Sequence, residues 1–87
     1  MYKILLSSKA ERELKSLPSE IITRIDFKIR QLTTNPRPPQ STKLISKEKP
    51  GWRIRMGDYR ILYQIDDEKK SVFIYRIKHR REVYRFG

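Results

Sequence analysis

The chain predicts an α+β domain in which a two-helix hairpin packs on a mainly antiparallel sheet, in the order β-αα-βββ. Three observations give this class. The segments Trp52 to Met56 and Tyr59 to Ile65 each alternate in the period-2 manner of a half-buried strand, and they meet at Gly57-Asp58, a two-residue connection with glycine where a type II′ hairpin turn wants it. Apolar residues recur at helical spacing through two earlier segments that break at Leu17-Pro18. A nearly continuous apolar run, Val72 to Ile77, follows the alternating pair. With 87 residues and 37% hydrophobic content, one domain spanning 1–87 with a thin core is expected.

Each element has a local reason. Tyr2 to Ser7 reads as a short strand. Ser8-x-x-Glu11 has the form of a capping box, and Ala10, Leu14 and Leu17 give the first helix one apolar stripe. Proline disfavours helical geometry in the residue before it, so Leu17-Pro18 ends this helix. Ser19 is placed to cap the second, whose stripe is Ile21, Ile22, Ile25, Ile29 and Leu32, running to the stop at Asn35-Pro36. Phe27 falls off that stripe. Residues 35–51 read as a proline-rich basic connection, with Leu44-Ile45 as its apolar anchor. Asp66 to Lys70 is a charged turn, in which Asp66, Asp67 and Glu68 are most simply turn formers. Val72 to Ile77 has the composition of a strand buried on both faces, Arg76 excepted. A basic and aromatic tail, Lys78 to Gly87, closes the chain.

The hairpin turn fixes a register: Met56 faces Tyr59, Arg55 faces Arg60, Ile54 faces Ile61 and Arg53 faces Leu62. One face of the ribbon is then apolar, and the other carries Arg53, Arg55 and Arg60. Like charges directly opposite on a sheet cost about 0.2–1 kcal/mol per pair, and no acidic residue of the hairpin alternates onto that face. Singly, each arginine reads as a solvated surface group; together they read as a site for an anion. Lys43, Lys47 and Lys49 on the connection, and Arg76, Lys78 and Arg81 after the hairpin, can extend the same electropositive track.

The net charge of +11, with a pI near 10.3, points to phosphate polyanions or an acidic protein partner. The absence of cysteine and the single histidine exclude thiolate and His-cluster metal sites, and no metal or small-molecule cofactor is expected. The N-terminal apolar run is too short for a signal peptide and nothing reaches transmembrane length, so a cytoplasmic protein with no membrane role is expected. There is no Gly-rich phosphate loop, nucleophile elbow or carboxylate pair on a buried strand. Arginine, tyrosine and one histidine suit cleavage of RNA by its own 2′-hydroxyl, because the substrate brings the nucleophile and the protein supplies alignment and charge stabilisation. Arg53, Arg55 and Arg60 fit the electrostatic part, and Tyr84 can stack on a base or share a proton.

The sequence Gly57-x-Tyr59-Arg60-Ile61-x-Tyr63, the aliphatic strand and the ending His79-Arg80-Arg81-Glu82-Val83-Tyr84 resemble the RelE/ParE superfamily of bacterial and archaeal toxins. The likeness covers nearly the whole chain, including the length, the element order and Lys43-Leu44 after the second helix, and the Tyr59–Tyr63 run with the C-terminal motif is similar to the RelE branch. The resemblance implies the toxin of a type II toxin–antitoxin system: a metal-independent, ribosome-dependent mRNA endonuclease, held inactive by a cognate acidic antitoxin. The catalytic residues it implies are Arg53, Arg55, Arg60, Arg80 and Tyr84. The sequence departs from the best-known RelE-type enzymes, which carry lysines at the places of Arg53 and Arg55. Arginine clamps phosphate but does not deprotonate. His79, with an ordinary pKa near 6.5, is then either the general base or a packing or surface histidine. Tyr84 has its own structural alternative, a terminal aromatic covering the core edge. The rival functions are a ParE-type gyrase-binding toxin and a basic RNA-binding module without catalysis.

Overall fold

In the computed structural model, which describes residues 1–45 and 51–80, strand β1 (Lys3–Leu6) gives way to a helix at Ser7. Ser7, rather than Ser8, is the cap: its Oγ accepts a hydrogen bond from the Ala10 amide at 3.0 Å. Helix α1 (Ser8–Lys15) therefore begins one residue earlier than a Ser8–Glu11 box requires, and Glu11 pairs instead with Lys15 along the helix surface. Helix α2 (Ser19–Gln31) also departs from expectation, since its cap is Pro18 and Ser19 is already helical. The carbonyl of Pro18 accepts from the amides of Ile21 and Ile22, which starts the helix without a side-chain cap.

A further strand, β2 (Ser41–Leu44), lies within the segment expected to be a loop. It pairs antiparallel with β3 (Gly51–Met56), Ser41 opposite Ile54 and Lys43 opposite Trp52. Its four residues have no apolar alternation, and pairing with β3 is what makes them a strand. The expected Leu44-Ile45 anchor is only half present: Leu44 is half-buried and Ile45 fully exposed. β4 (Tyr59–Asp66) and β5 (Ser71–His79) complete a five-stranded sheet in the order β1-β5-β4-β3-β2. β1 runs parallel to β5 and every other neighbouring pair is antiparallel.

One face of this sheet carries the helices. Ala10, Ile25, Ile29 and Leu32 from the helical hairpin meet Ile54, Met56, Ile61, Tyr63, Val72, Ile74 and Ile77 from the strands. Among the described residues no helix packs on the other face, here called the open face, where Leu5 and Phe73 are exposed side by side on paired positions. β5, expected to be buried on both faces, exposes Phe73, and among the described residues the helices cover only its other face. Its continuous apolar look has a local cause, a bulge. Tyr63 pairs with Ile74 and Leu62 with Arg76, which leaves Tyr75 as the extra residue. The inserted residue resets the alternation, so Ile77 reaches the core three positions after Ile74.

α1 closes the edge of β5 beyond the point where β1 ends. The Glu13 carboxylate accepts from Arg76 Nε and Nη2, at 3.1 and 2.9 Å, and from the Ile77 amide at 2.9 Å. At the opposite end of the sheet, the buried Tyr63 hydroxyl donates to the Pro36 carbonyl at 2.8 Å, and burial pushes its pKa up. There Arg37 grips Asp67 with two hydrogen bonds and lies over the Trp52 ring, while the Tyr2 hydroxyl donates to the same carboxylate. Among the described residues no helix is long and apolar enough to cross a membrane.

Candidate functional site

The observed register of β3 and β4 is the one that the Gly57-Asp58 turn dictates, from Trp52 opposite Tyr63 to Met56 opposite Tyr59. Gly57 takes a φ of 60°, the positive value that the first central position of a type II′ turn requires. Residues directly opposite share a face of the sheet. Arg55, Arg60 and Lys78 therefore form one row across β3, β4 and β5 on the open face. Arg53 stands two residues from Arg55 on the same face, opposite Leu62.

Arg60 is not a solvated surface group. It lies on the central strand between Arg55 and Lys78 and is only 7% exposed. A guanidinium with so little water around it has its position set by the fold. Arg55 is exposed and Arg53 half-buried, so the row presents one fixed cation flanked by accessible ones. Arg80 joins them at the turn end of the sheet. Its amide donates to the Asp58 carbonyl at 2.6 Å, and its Nη1 lies 3.8 Å from an Asp58 carboxylate oxygen.

The structure separates other expected site residues from this row. His79 stands opposite Tyr59, in the row of Met56, and meets the Tyr59 ring edge-on at 5.1 Å. Strand alternation thus puts its ring on the face opposite to Arg55 and Arg60. Arg76 begins in the row of Arg53 and Leu62, but its guanidinium is turned to Glu13 at the sheet edge and occupied there. Lys43 is exposed on β2 opposite Trp52, so it too alternates away from the arginine face. Lys47, Lys49, Arg81 and Tyr84 lie outside the described residues.

Lys78 gains importance from tertiary pairing, since only the antiparallel partnership of β4 and β5 sets it beside Arg60. Arg24 on α2 carries no motif, yet its Nη2 comes within 4.0 Å of the point where a Cβ on Gly57 would sit. Cations from four separate segments therefore gather at one end of the molecule. At the other end Asp66 closes β4 and Asp67 and Glu68 follow it, with Arg37 paired to Asp67 and with Lys69 and Lys70 next in the turn. The Arg37 guanidinium, with the Tyr2 hydroxyl, holds the Asp67 carboxyl down at about 2. Among the described residues there is no group of three or more His, Asp or Glu side chains able to hold a metal ion. A row of cations with one buried guanidinium is chemically suited to an anion.

The chain is similar to known proteins along nearly its whole length. Residues 4–84 match the family described as the ParE toxin of the type II toxin-antitoxin system, parDE. Toxin RelG of Mycobacterium tuberculosis is 35% identical over 86 residues, covering 97% of both chains. Toxin RelE of the same organism is 33% identical, covering 99% of this chain and 89% of its own. Among solved structures, the RelBE2 toxin-antitoxin complex of M. tuberculosis superposes with a TM-score of 0.80 at 30% identity, covering 90% of this chain and 96% of the other. The isolated RelE toxin of Escherichia coli superposes with a TM-score of 0.78 at 23% identity over the whole of both chains, a likeness of fold.

Proposed function

Because the chain belongs to the RelE/ParE superfamily of toxins from type II toxin–antitoxin systems, we propose that it cleaves messenger RNA on the ribosome. In this reading a cognate acidic antitoxin holds it inactive until released. The observation that carries the reading is the cationic row, Arg55, Arg60 and Lys78, with Arg53 beside it and Arg80 fastened at its end.

Cleavage by the 2′-hydroxyl passes through a phosphorane that carries more negative charge than the starting diester. Donors already fixed where that charge develops lower the barrier without reorganising. Buried Arg60 meets this requirement, and exposed Arg55 with Arg53 is suited to gripping the phosphates on either side. Five N–H donors in a rigid fork suit arginine to this clamping. Proton transfer needs a different group, since arginine stays charged. With the His79 ring on the other face, this falls to Lys78 in the row and to Tyr84, the latter by resemblance. The antitoxin reading rests on charge, because a +11 chain with clustered arginines is held by an acidic segment. It also draws on the similar structures from M. tuberculosis and Pyrococcus horikoshii, which are complexes of a RelE-type toxin with its antitoxin.

The decisive experiment supplies the protein to translating ribosomes and maps mRNA 5′ ends, with a gyrase supercoiling assay in parallel. New 5′ ends within codons on the ribosome are expected. Intact mRNA together with inhibited gyrase would replace this reading by the gyrase-binding one. Intact mRNA with retained RNA binding would leave a basic module without catalysis.

A further inference from the structure

The row of arginines faces one side of the sheet, but the cationic end of the molecule continues round the hairpin turn. Arg24 reaches Gly57 from α2, on the side away from the open face. One helical turn further along stands Phe27, 62% exposed and off the apolar stripe that packs on the sheet. Lys28 follows at the next position, so Arg24, Phe27 and Lys28 occupy i, i+3 and i+4 and share one ridge of the helix. Gln31 prolongs this ridge, and Glu20 lies at its far end in the first turn. Asp26 is on the other flank and is paired there with Arg30 at 2.9 Å, so its charge is engaged away from the ridge.

We propose that the ridge Arg24–Phe27–Lys28 is a second contact for single-stranded RNA, continuous with the arginine row across the Gly57-Asp58 turn. An exposed aromatic ring flanked by cations is the arrangement that stacks a base and neutralises the phosphates beside it. The core does not need Phe27, which belongs neither to the buried cluster nor to the half-buried residues packed against it. At the turn Gly57 carries no side chain, and the Asp58 carboxylate beside it lies 3.8 Å from Arg80 Nη1, a cation of the same end. An RNA strand leaving the arginine row can therefore pass over Gly57, lay a phosphate on Arg24 and stack its next accessible base on Phe27. This inference takes RNA as the polymer from the cleavage reading and goes beyond it, because the ridge need not touch the reacting phosphate.

The test uses a uniformly 2′-O-methylated RNA of about 20 nucleotides, which binds without being cut, measured against salt concentration. For Phe27→Ala, affinity is expected to fall about tenfold with an unchanged salt slope, because a stacking contact carries no charge. For Arg24→Gln with Lys28→Gln, the slope of log K against log salt is expected to become shallower by about 1.4, from two phosphates at about 0.7 each. Unchanged affinity and slope in both variants would overturn the ridge. So would an effect confined to binding of an acidic protein partner, which would assign the ridge to protein. Cleavage of unmodified mRNA by the parent is scored separately, so failure of the catalytic reading is told apart from failure of this one.

Discussion

Arg60 and Asp67 show how environment gives ordinary side chains different tasks. Arg60 is held in place by burial on the central strand, whereas its neighbours Arg53 and Arg55 keep access to solvent. Replacing Arg60 with alanine should cost about 2–4 kcal/mol of transition-state stabilisation in single-turnover cleavage, as for loss of one preorganised donor. The check is the cleavage rate at saturating ribosomes; an unchanged rate would remove Arg60 from the chemistry. His79→Gln, whose ring lies on the opposite face, should leave the pH dependence of cleavage as it is. Asp67 works at the far end. Its carboxyl titrates at about 2, below the ordinary carboxylate value, because Arg37 and Tyr2 bond its charged form. A carboxyl depressed by folding stabilises the fold fully above its unfolded pKa of about 4, and this is lost as pH falls through the folded value. The thermal midpoint should therefore fall between about pH 4 and pH 2 by more in the parent than in Asp67→Asn. Arg37→Gln should move the Asp67 titration, followed by NMR, upward toward the ordinary value.

Among the elements, β5 bears the most constraint. Its bulge at Tyr75 decides which of the following residues enter the core, and the Glu13 carboxylate fixes the strand just beyond it. Both members of the Glu13–Arg76 pair are less than one-fifth exposed. Breaking it from one side leaves a partly buried charge and a strand amide without their acceptor. Glu13→Ala should accordingly destabilise the domain by about 2–4 kcal/mol. Glu13→Leu combined with Arg76→Met should cost much less, because no charge is then stranded. Equal losses in the single and double variants, measured by urea denaturation, would show that the pair does not act as a unit. At the start of β3, a Cβ on Gly51 would lie 2.5 Å from the Tyr63 carbonyl oxygen. That atom is backbone and cannot swing aside, so Gly51→Ala should destabilise by about 1–3 kcal/mol.

For the whole molecule, the uneven distribution of charge matters more than its sum. Cations from α2, β3, β4 and β5 meet at the hairpin-turn end, whereas at the other end Asp66, Asp67 and Glu68 are matched by Arg37, Lys69 and Lys70. Affinity for RNA should fall steeply with salt. Arg53→Gln or Arg55→Gln should each make the slope shallower by about 0.7–0.9 for every phosphate that the arginine had neutralised. A slope equal to the parent's in both variants would place the dominant phosphate contacts elsewhere, with the α2 ridge the first surface to examine.

The sequence alone determined the helical hairpin, the β3–β4 register and the side-by-side placement of Arg53, Arg55 and Arg60. Each follows from interactions between residues near in the chain: a helical period broken by Pro18, and a two-residue turn that leaves one pairing open to its strands. The superfamily is legible for the same reason, since its motif residues lie in short runs. Tertiary structure decided what depends on partners far along the chain. β2 exists through β3, Arg76 belongs to Glu13 on α1, and Lys78 reaches Arg60 through the β4–β5 pairing. The chemistry of His79 suits a base, but the alternation that carries it to Tyr59 depends on where the Tyr75 bulge resets the strand. Local rules fix what a segment becomes. Which side chains share a face is settled only when distant strands choose their register, because one inserted residue exchanges the two faces of everything after it.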